Sequence, residues 1–273
     1  FDMATFLYAE INIVGIIILL LLLHSNSRSG LKDSPLDQRI FNSIMATNIA
    51  IFLLDTGMWL LDGRPSAAAW VANMLVTMLY YIFNPFICFI WLLYVDFKIY
   101  ENKAALRRRA RFYVIPLLLS TALSVISPFT GWYFMVDAQN IYARGPYFFI
   151  MAVISLAYLL LASGICLYDF FKNGWEKDQS VNLLLAVLTL VNIASALTQT
   201  MFFGMSIIWI CTMLGCISIY INLQNREIST DHLTGLYNRR RLDQYLQRRM
   251  HAPHGDRLFF SILLDLDEFK SIN

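Results

Sequence analysis

Residues 146–170 read PYFFIMAVISLAYLLLASGICLYDF, a stretch in which Asp169 is the only charged residue. A helix of about 20 apolar residues crosses the roughly 30 Å hydrocarbon core of a bilayer. Over the whole chain 58% of the residues are hydrophobic and 15% are charged, whereas soluble domains have about 45–50% and 25%. Residues 146–170 therefore predict a membrane-spanning helix, in a chain that is apolar over most of its length.

Six further stretches share this length and composition. The seven predicted spans are Ala4–Leu23, Ile40–Leu61, Ala67–Tyr94, Phe112–Ser127, Pro146–Phe170, Ser180–Thr198 and Met205–Ile221. Because a backbone in lipid must satisfy its own hydrogen bonds, each span is predicted to be a helix. We expect residues 1–222 to form an α-helical membrane domain with seven transmembrane helices.

Lys and Arg are distributed unevenly between the two sets of connecting loops. If the N-terminus lies outside, the inner loops carry eleven of these residues and the outer loops carry two, Arg64 and Arg144. The positive-inside rule assigns the richer set to the cytoplasm. We therefore expect the N-terminus outside and the C-terminus in the cytoplasm. The same rule accounts for the basic residues, so the net charge of +2 gives no reason to expect a nucleic-acid partner.

Charged residues become more frequent after the last span. Within this tail, residues 257–267 read RLFFSILLDLD. A continuous apolar run that ends in acids is typical of a strand buried on both faces of a sheet. Open α/β sheets bind ligands at the carboxyl ends of their strands. Asp265 and Asp267 share one side of an extended strand, and carboxylates together with substrate phosphates suit Mg²⁺. The pattern fits a magnesium and phosphate site or a solvated turn between a strand and a helix.

Two blocks in this tail resemble the opening of the GGDEF domain, the bacterial diguanylate cyclase domain. They are DHLTGLYNRR at residues 231–240 and FSILLDLDEFKSIN at residues 260–273. The resemblance implies that residues 231–273 begin a cytoplasmic α/β domain that makes cyclic di-GMP from two GTP molecules. Residues 223–231 would then be a signalling linker helix, and the membrane would be a bacterial cytoplasmic membrane with its lipids.

The resemblance also assigns roles to residues of the last block. Asp265 and the backbone carbonyl of Leu266 would bind Mg²⁺, and Phe269, Lys270 and Asn273 would bind GTP. In the family each domain holds one GTP, so the resemblance implies a homodimer. The sequence stops before the Gly-Gly-Asp/Glu-Glu-Phe signature. We therefore expect this chain to be an inactive fragment of a longer enzyme.

Four polar residues within the apolar spans are predicted to lie at one depth. They are Glu10, Asp55, Asn73 and Asn192, each six residues from the outer end of its span. At 1.5 Å per residue this depth is roughly 9 Å. Polar groups within a span usually face the bundle interior, where they would form either a ligand pocket open to the outside or hydrogen bonds that fix packing. Trp59, Trp70 and Trp209 lie near the same level, and the two acids would suit a cationic ligand such as an amine.

Residues 130–145, TGWYFMVDAQNIYARG, alternate aromatic residues around the turn-forming tetrad DAQN. This pattern predicts a short β-hairpin over the mouths of the helices. No haem is expected, because the four histidines lie outside the predicted spans: His24, His232, His251 and His254. No retinal is expected either, because the last span has no lysine for a Schiff base.

These patterns together predict a membrane receptor that senses a small ligand and controls a cytoplasmic diguanylate cyclase. The alternative is a non-enzymatic seven-helix receptor or scaffold in which a degenerate GGDEF domain only relays contacts.

Overall fold

The structure is a computed structural model. It describes residues 3–28, 35–173, 180–202, 207–227, 238, 242–243 and 262. The chain divides into two compact units, Phe1–Gln224 and Asn225–Asn273. In the second unit the amide of Leu242 donates to the carbonyl of Asn238 at 3.0 Å, which is the spacing of a helical turn.

Seven helices and one two-stranded sheet form the described part of the first unit. In chain order they are α1 Met3–Arg28, α2 Pro35–Leu61, α3 Ala67–Tyr100, α4 Lys103–Thr130, β1 Phe134–Val136, β2 Tyr142–Arg144, α5 Phe148–Asn173, α6 Ser180–Met201 and α7 Ile207–Glu227. Each of the seven helices is long and apolar enough to cross a membrane. The prediction of seven helices of this kind is confirmed for the described residues.

Several helices extend beyond their predicted apolar spans, and α3 and α4 are two examples. The third span was predicted to end at Tyr94, but α3 continues to Tyr100; the fourth was predicted to begin at Phe112, but α4 begins at Lys103. The reason is local capping. The side chain of Asn102 accepts a hydrogen bond from a backbone amide in the first turn of α4 at 2.9 Å, which allows the polar, basic turns before the apolar span to be helical.

The central element of the unit is α3, which contacts α2, α4, α5 and β1. The half of α3 that follows Pro85 is almost entirely buried, as expected of a helix that is apolar on all sides. Its contact with α6 includes a hydrogen bond from the indole Nε1 of Trp91 to the hydroxyl of Thr189 at 3.0 Å. By contrast, α1 and α4 expose many large apolar side chains, which is typical of helices that face lipid.

Polar contacts attach α7 to the first two helices. The Nδ2 atom of Asn48 in α2 donates to the carbonyl of Trp209 at 3.2 Å. The hydroxyls of Ser25 in α1 and Tyr220 are 2.5 Å apart. Because hydrogen bonds between helices strengthen packing where water is scarce, these contacts hold both ends of α7 against the bundle.

The loop between α4 and α5 contains the antiparallel pair β1 and β2, with Met135 opposite Ala143. Its turn is built by Asp137, whose Oδ1 accepts the amides of Gln139 and Ile141 at 3.0 and 2.8 Å. This Asx-type bonding is the reason that Asp and Asn are common in turns. The residues of the DAQN tetrad therefore form the turn of this hairpin.

The hairpin turn is attached to the loop between α2 and α3. Asn140 has a left-handed backbone, φ 63°, which Asn tolerates better than most residues. Its Nδ2 atom donates to the carbonyls of Leu61 and Arg64 at 2.7 and 3.2 Å. Its own carbonyl accepts the amide of Gly63 at 2.8 Å. The hairpin therefore lies at the end of the unit where α2 ends and α3 begins.

Charged pairs lie at the opposite end of α3. Asp96, which is fully buried, accepts from the Nε of Arg109 at 2.7 Å and from its Nη2. The hydroxyl of Tyr113 donates to the same carboxylate at 3.1 Å. Nearby, the Nζ of Lys98 donates to Asp37 at 2.8 Å and joins α3 to α2. These bonds fill the end of the unit around the short turn from α3 to α4.

Candidate functional site: a cavity under the hairpin

A cavity of about 260 Å³ lies between the hairpin and five helices. Small-molecule sites usually measure about 300–1,000 Å³, so this cavity suits a small ligand. Its lining residues come from α2, the loop after α2, α3, β2 with the residue before it, α5, α6 and α7: Asp55, Met58, Trp59, Asp62, Tyr80, Tyr81, Asn84, Ile141, Tyr142, Arg144, Phe148, Met151, Ala152, Ser155, Ala196, Gln199, Thr200 and Ile208.

Two carboxylates border the cavity at different depths. Asp55, inside α2, is only 5% exposed, and its Oδ2 accepts from the Nδ2 of Asn12 at 2.9 Å. The same Nδ2 donates to the hydroxyl of Thr56 at 3.0 Å. Asp62 follows α2 and is exposed. One acid is therefore buried in the wall, while the other lies where the cavity meets the surface.

Aromatic side chains form much of the wall. The Tyr80 hydroxyl accepts hydrogen bonds from the Nε1 of Trp209 and the Nε2 of Gln199, both at 3.1 Å. The Tyr80 ring also meets the Trp209 ring edge to face, with centroids 5.9 Å apart. Such pairs fix ring orientation beyond the effect of burial alone. Tyr80 is therefore held in one position at the cavity, and Trp59 contributes a second large ring to the lining.

The second strand of the hairpin forms one side of the cavity. The Tyr142 hydroxyl lies 2.7 Å from the hydroxyl of Tyr81 in α3, and the Tyr142 amide donates to Asp62 at 2.8 Å. Burial raises the pKa of Tyr142 above its ordinary value, because an ionised phenol is disfavoured away from water. The phenol therefore stays neutral at physiological pH and can take part in this hydrogen bond.

Arg144 joins the hairpin to the end of α6. Its two terminal nitrogens donate to the carbonyls of Gln199 and Thr200, each at 3.0 Å. The guanidinium carbon lies 4.8 Å from the ring centroid of Phe148. A cation at the last carbonyls of a helix is favoured by the helix dipole, so this contact closes the cavity between β2 and α6.

The structure separates the predicted pocket residues. Asp55 and Trp59 line the cavity. Glu10 does not line it; its side chain is exposed on α1. Glu10 and Asp55 were predicted to lie at one depth, but depth does not specify the direction of a side chain. His24, which was expected outside the helices, lies within α1 and is also exposed.

The other predicted pocket residues support neighbouring elements rather than the cavity wall. Asn73 donates to the Oδ1 of Asn140 at 3.0 Å, and the Nε1 of Trp70 donates to the carbonyl of Asp137 at 2.9 Å. Both therefore hold the hairpin turn.

Asn192 accepts from the hydroxyl of Thr212 at 3.1 Å and so joins α6 to α7. Trp209 positions Tyr80 through the hydrogen bond and ring contact given above. Asn192 and Trp209 also border a separate void of about 10 Å³, roughly the space of one water molecule.

Several lining residues were missed in the sequence. The pair Tyr80–Tyr81 has two hydroxyls in the middle of an apolar span, and this was a usable signal because buried hydroxyls need hydrogen-bond partners. Gln199 lies just beyond the predicted end of the sixth span. Arg144 was considered as an outer-loop base that could neutralise the acids, but it was not predicted to line the pocket. The contribution of Arg144 depends on the hairpin register, which the sequence pattern did not specify.

The residues expected to bind Mg²⁺ and GTP lie outside the described residues: Asp265, Leu266, Phe269, Lys270 and Asn273. Residues 228–273 match the family model described as diguanylate cyclase, GGDEF domain. This is a diguanylate cyclase-related segment. No curated protein matches the chain. The chain thus combines seven helices able to span a membrane with part of a GGDEF domain, and α7 ends at Glu227, one residue before the matched segment.

Proposed function

We propose that the helical unit is a membrane receptor for a small ligand and that occupancy of the cavity controls a cytoplasmic diguanylate cyclase. The observation that carries this proposal is the course of α7. Ile208, near its start, lines the cavity, and the helix continues to Glu227, next to the GGDEF segment. A shift of α7 at the cavity would therefore reach the GGDEF segment along a continuous helix.

The distribution of charge supports an orientation for this receptor. Arg64 and Arg144 lie at the hairpin end of the unit, whereas the opposite end carries a basic run at the end of α3 and the start of α4: Lys98, Lys103, Arg107, Arg108, Arg109 and Arg111. By the positive-inside rule the hairpin and the cavity face the outside, and the end of α7 faces the cytoplasm. The membrane in this proposal is a bacterial cytoplasmic membrane.

The catalytic part of the proposal comes from the family match. Two GGDEF domains of a homodimer would each hold one GTP with Mg²⁺, and Asp265 would be a metal ligand. Control of this reaction requires that the ligand bind the active and inactive states with different affinity. A ligand that binds both states equally would leave the output unchanged.

A pair of alanines in α6 tests the control function without knowledge of the ligand. Ala196 lines the cavity, whereas Ala194, in the same helix, is exposed. We expect Ala196→Leu to fill part of the cavity and to change the cyclic di-GMP content of bacteria that express the full-length protein severalfold. Ala194→Leu should leave it at the wild-type level.

The same assay includes two checks. Asp265→Asn should abolish cyclic di-GMP synthesis while the protein remains in the membrane. The proposal is wrong if Ala196→Leu and Ala194→Leu, present in equal amounts, give the same cyclic di-GMP content as wild type. If cyclic di-GMP synthesis is absent from the full-length wild type, the non-enzymatic receptor is the better interpretation.

A further inference from the structure

We infer that the cavity binds a small organic cation with a protonated primary amine and that Asp55 receives the amine. This inference rests on the proposed function, because it names the chemical class of the ligand for the same cavity. Three properties of the lining support it: its formal charge, its aromatic surface and a buried acceptor oxygen.

The charges around the cavity favour a positive ligand. The lining has two carboxylates, Asp55 and Asp62, and one guanidinium, Arg144. Arg144 is directed to the last carbonyls of α6 and to the ring of Phe148. A ligand with one positive charge brings the formal charge of ligand and lining to zero. An anionic ligand would instead add to the negative charge.

A positive ligand should have its largest effect on Asp55, because this carboxylate is buried. Its side chain lies inside α2 and is only 5% exposed, whereas Asp62 is exposed to solvent. Ionised groups within a membrane span are costly unless neighbouring groups compensate for the lost water. An ammonium group in the cavity would stabilise the Asp55 carboxylate more than a neutral ligand of the same size.

The aromatic lining suits both parts of such a ligand. The rings of Trp59, Tyr80 and Phe148 border the same space as Asp55. Aromatic faces attract cations, most strongly where water is excluded, and they also cover apolar surface. Because Asp55 and Tyr80 line the same cavity, an ammonium group bound there can interact with both the carboxylate and this ring.

A buried acceptor favours an amine with N–H groups over a quaternary ammonium. The Oε1 of Gln199 is buried and has no hydrogen-bond partner in the described part of the chain, while its Nε2 donates to Tyr80. Leaving a buried acceptor unsatisfied is unfavourable. A primary ammonium has three donors and can serve both Gln199 and Asp55, whereas a quaternary ammonium has none.

Three matched probes separate charge from shape. They are 2-phenylethylamine, the neutral 2-phenylethanol and the quaternary trimethyl(2-phenylethyl)ammonium. Binding to the full chain in lipid nanodiscs can be followed by tryptophan fluorescence, since Trp59 lines the cavity, and by the shift in unfolding temperature. We expect the amine to bind at least about tenfold more tightly than the alcohol, with the quaternary ion in between.

Variants locate the amine. Asp55→Asn should weaken amine binding about 10- to 100-fold, the effect of losing a charged hydrogen bond, and leave alcohol binding unchanged. Glu10→Gln, on an exposed acid outside the cavity, should change neither. Should Asp55→Asn fail to fold, Asp62→Asn removes the exposed acid and should weaken amine binding by up to about fivefold.

The results divide clearly. Equal binding of amine and alcohol, full amine binding by Asp55→Asn, or no binding of any probe at millimolar concentration overturns the inference. If the alcohol binds as well as the amine while Ala196→Leu still changes cyclic di-GMP, the ligand class is wrong and the proposed function stands. If the amine needs Asp55 but Ala196→Leu leaves cyclic di-GMP unchanged, the ligand class stands and the control function is wrong.

Discussion

The two ends of the helical unit differ in the surroundings of their buried acids. At the turn between α3 and α4, the carboxylate of Asp96 accepts from the guanidinium of Arg109 and from Tyr113 in a filled site. At the hairpin end, Asp55 accepts from the amide of Asn12 and borders a cavity of about 260 Å³. Both buried acids thus lie where helices pack together. The surrounding packing determines whether such an acid forms a structural ion pair or lines a binding site.

If this contrast is correct, removing the base at the filled end should have the largest effect on stability. We expect Arg109→Gln to lower the free energy of unfolding by about 3 kcal/mol, because it leaves the fully buried Asp96 without its charged partner. This value is at the low end for broken buried pairs, since Arg109 is one-third exposed. Thermal unfolding in nanodiscs measures the change.

Arg108 provides the matched control for that experiment. It lies on the same turn of α4 with its side chain exposed, so Arg108→Gln should change stability by less than about 0.5 kcal/mol. Amine binding should survive in both variants under conditions where they remain folded, because no residue of α4 lines the cavity. Equal unfolding temperatures for Arg109→Gln and wild type would contradict the stabilising role of the ion pair between Arg109 and Asp96.

At the hairpin end, a glycine tests whether the position of the hairpin depends on close backbone packing. A Cβ atom at Gly145 would lie 2.3 Å from the carbonyl oxygens of Gly131 and Trp132, well inside contact distance. We expect Gly145→Ala to displace the hairpin, lower stability by about 2 kcal/mol and weaken amine binding.

A second glycine supplies the comparison. At Gly164 in α5 an added Cβ would meet nothing within 4 Å. Gly164→Ala should therefore be neutral or stabilise the helix by up to about 1 kcal/mol. Unfolding temperature and amine affinity measured side by side distinguish the two positions, and similar behaviour of the two variants would show that the hairpin is not tightly seated.

The smallest expected effect concerns the hydrogen bond between Tyr142 and Tyr81, 2.7 Å long. Tyr142→Phe and Tyr81→Phe should each cost about 1 kcal/mol, and the double variant should cost less than their sum because both remove one bond. Additive losses would indicate that the two hydroxyls do not interact.

The pH dependence of this contact follows from the raised pKa of Tyr142. Its contribution is fully present below the ordinary tyrosine pKa near 10 and is lost as pH rises through the folded-state value. Alkaline unfolding should therefore depend less on pH in Tyr142→Phe than in wild type.

Much of the fold could be predicted from local sequence. The seven helices follow from the length and apolar composition of the spans, because a backbone in lipid has few alternatives to a helix. The residues of DAQN lie in the turn of a hairpin because Asp137 and Asn140 make the short-range bonds that turns need. Helix ends were less predictable. Asn102 caps the start of α4 before the apolar span begins. A hydropathy pattern does not identify such capping residues.

The candidate site was only partly predictable. Depth along a helix follows from residue number, so Asp55 and Glu10 were both placed near the outer end. The direction of a side chain around the helix axis depends on where the neighbouring helices pack, and packing turned Asp55 inward and left Glu10 exposed.

Apolar composition and the GGDEF motif were therefore enough to identify seven helices able to span a membrane and a diguanylate cyclase-related segment. Both are properties of contiguous residues. The cavity, the hairpin wall with Tyr142 and Arg144, and the role of Gln199 required the folded arrangement. These features bring together residues that are far apart in the chain. The sequence pattern of one helix does not specify which other helix it packs against.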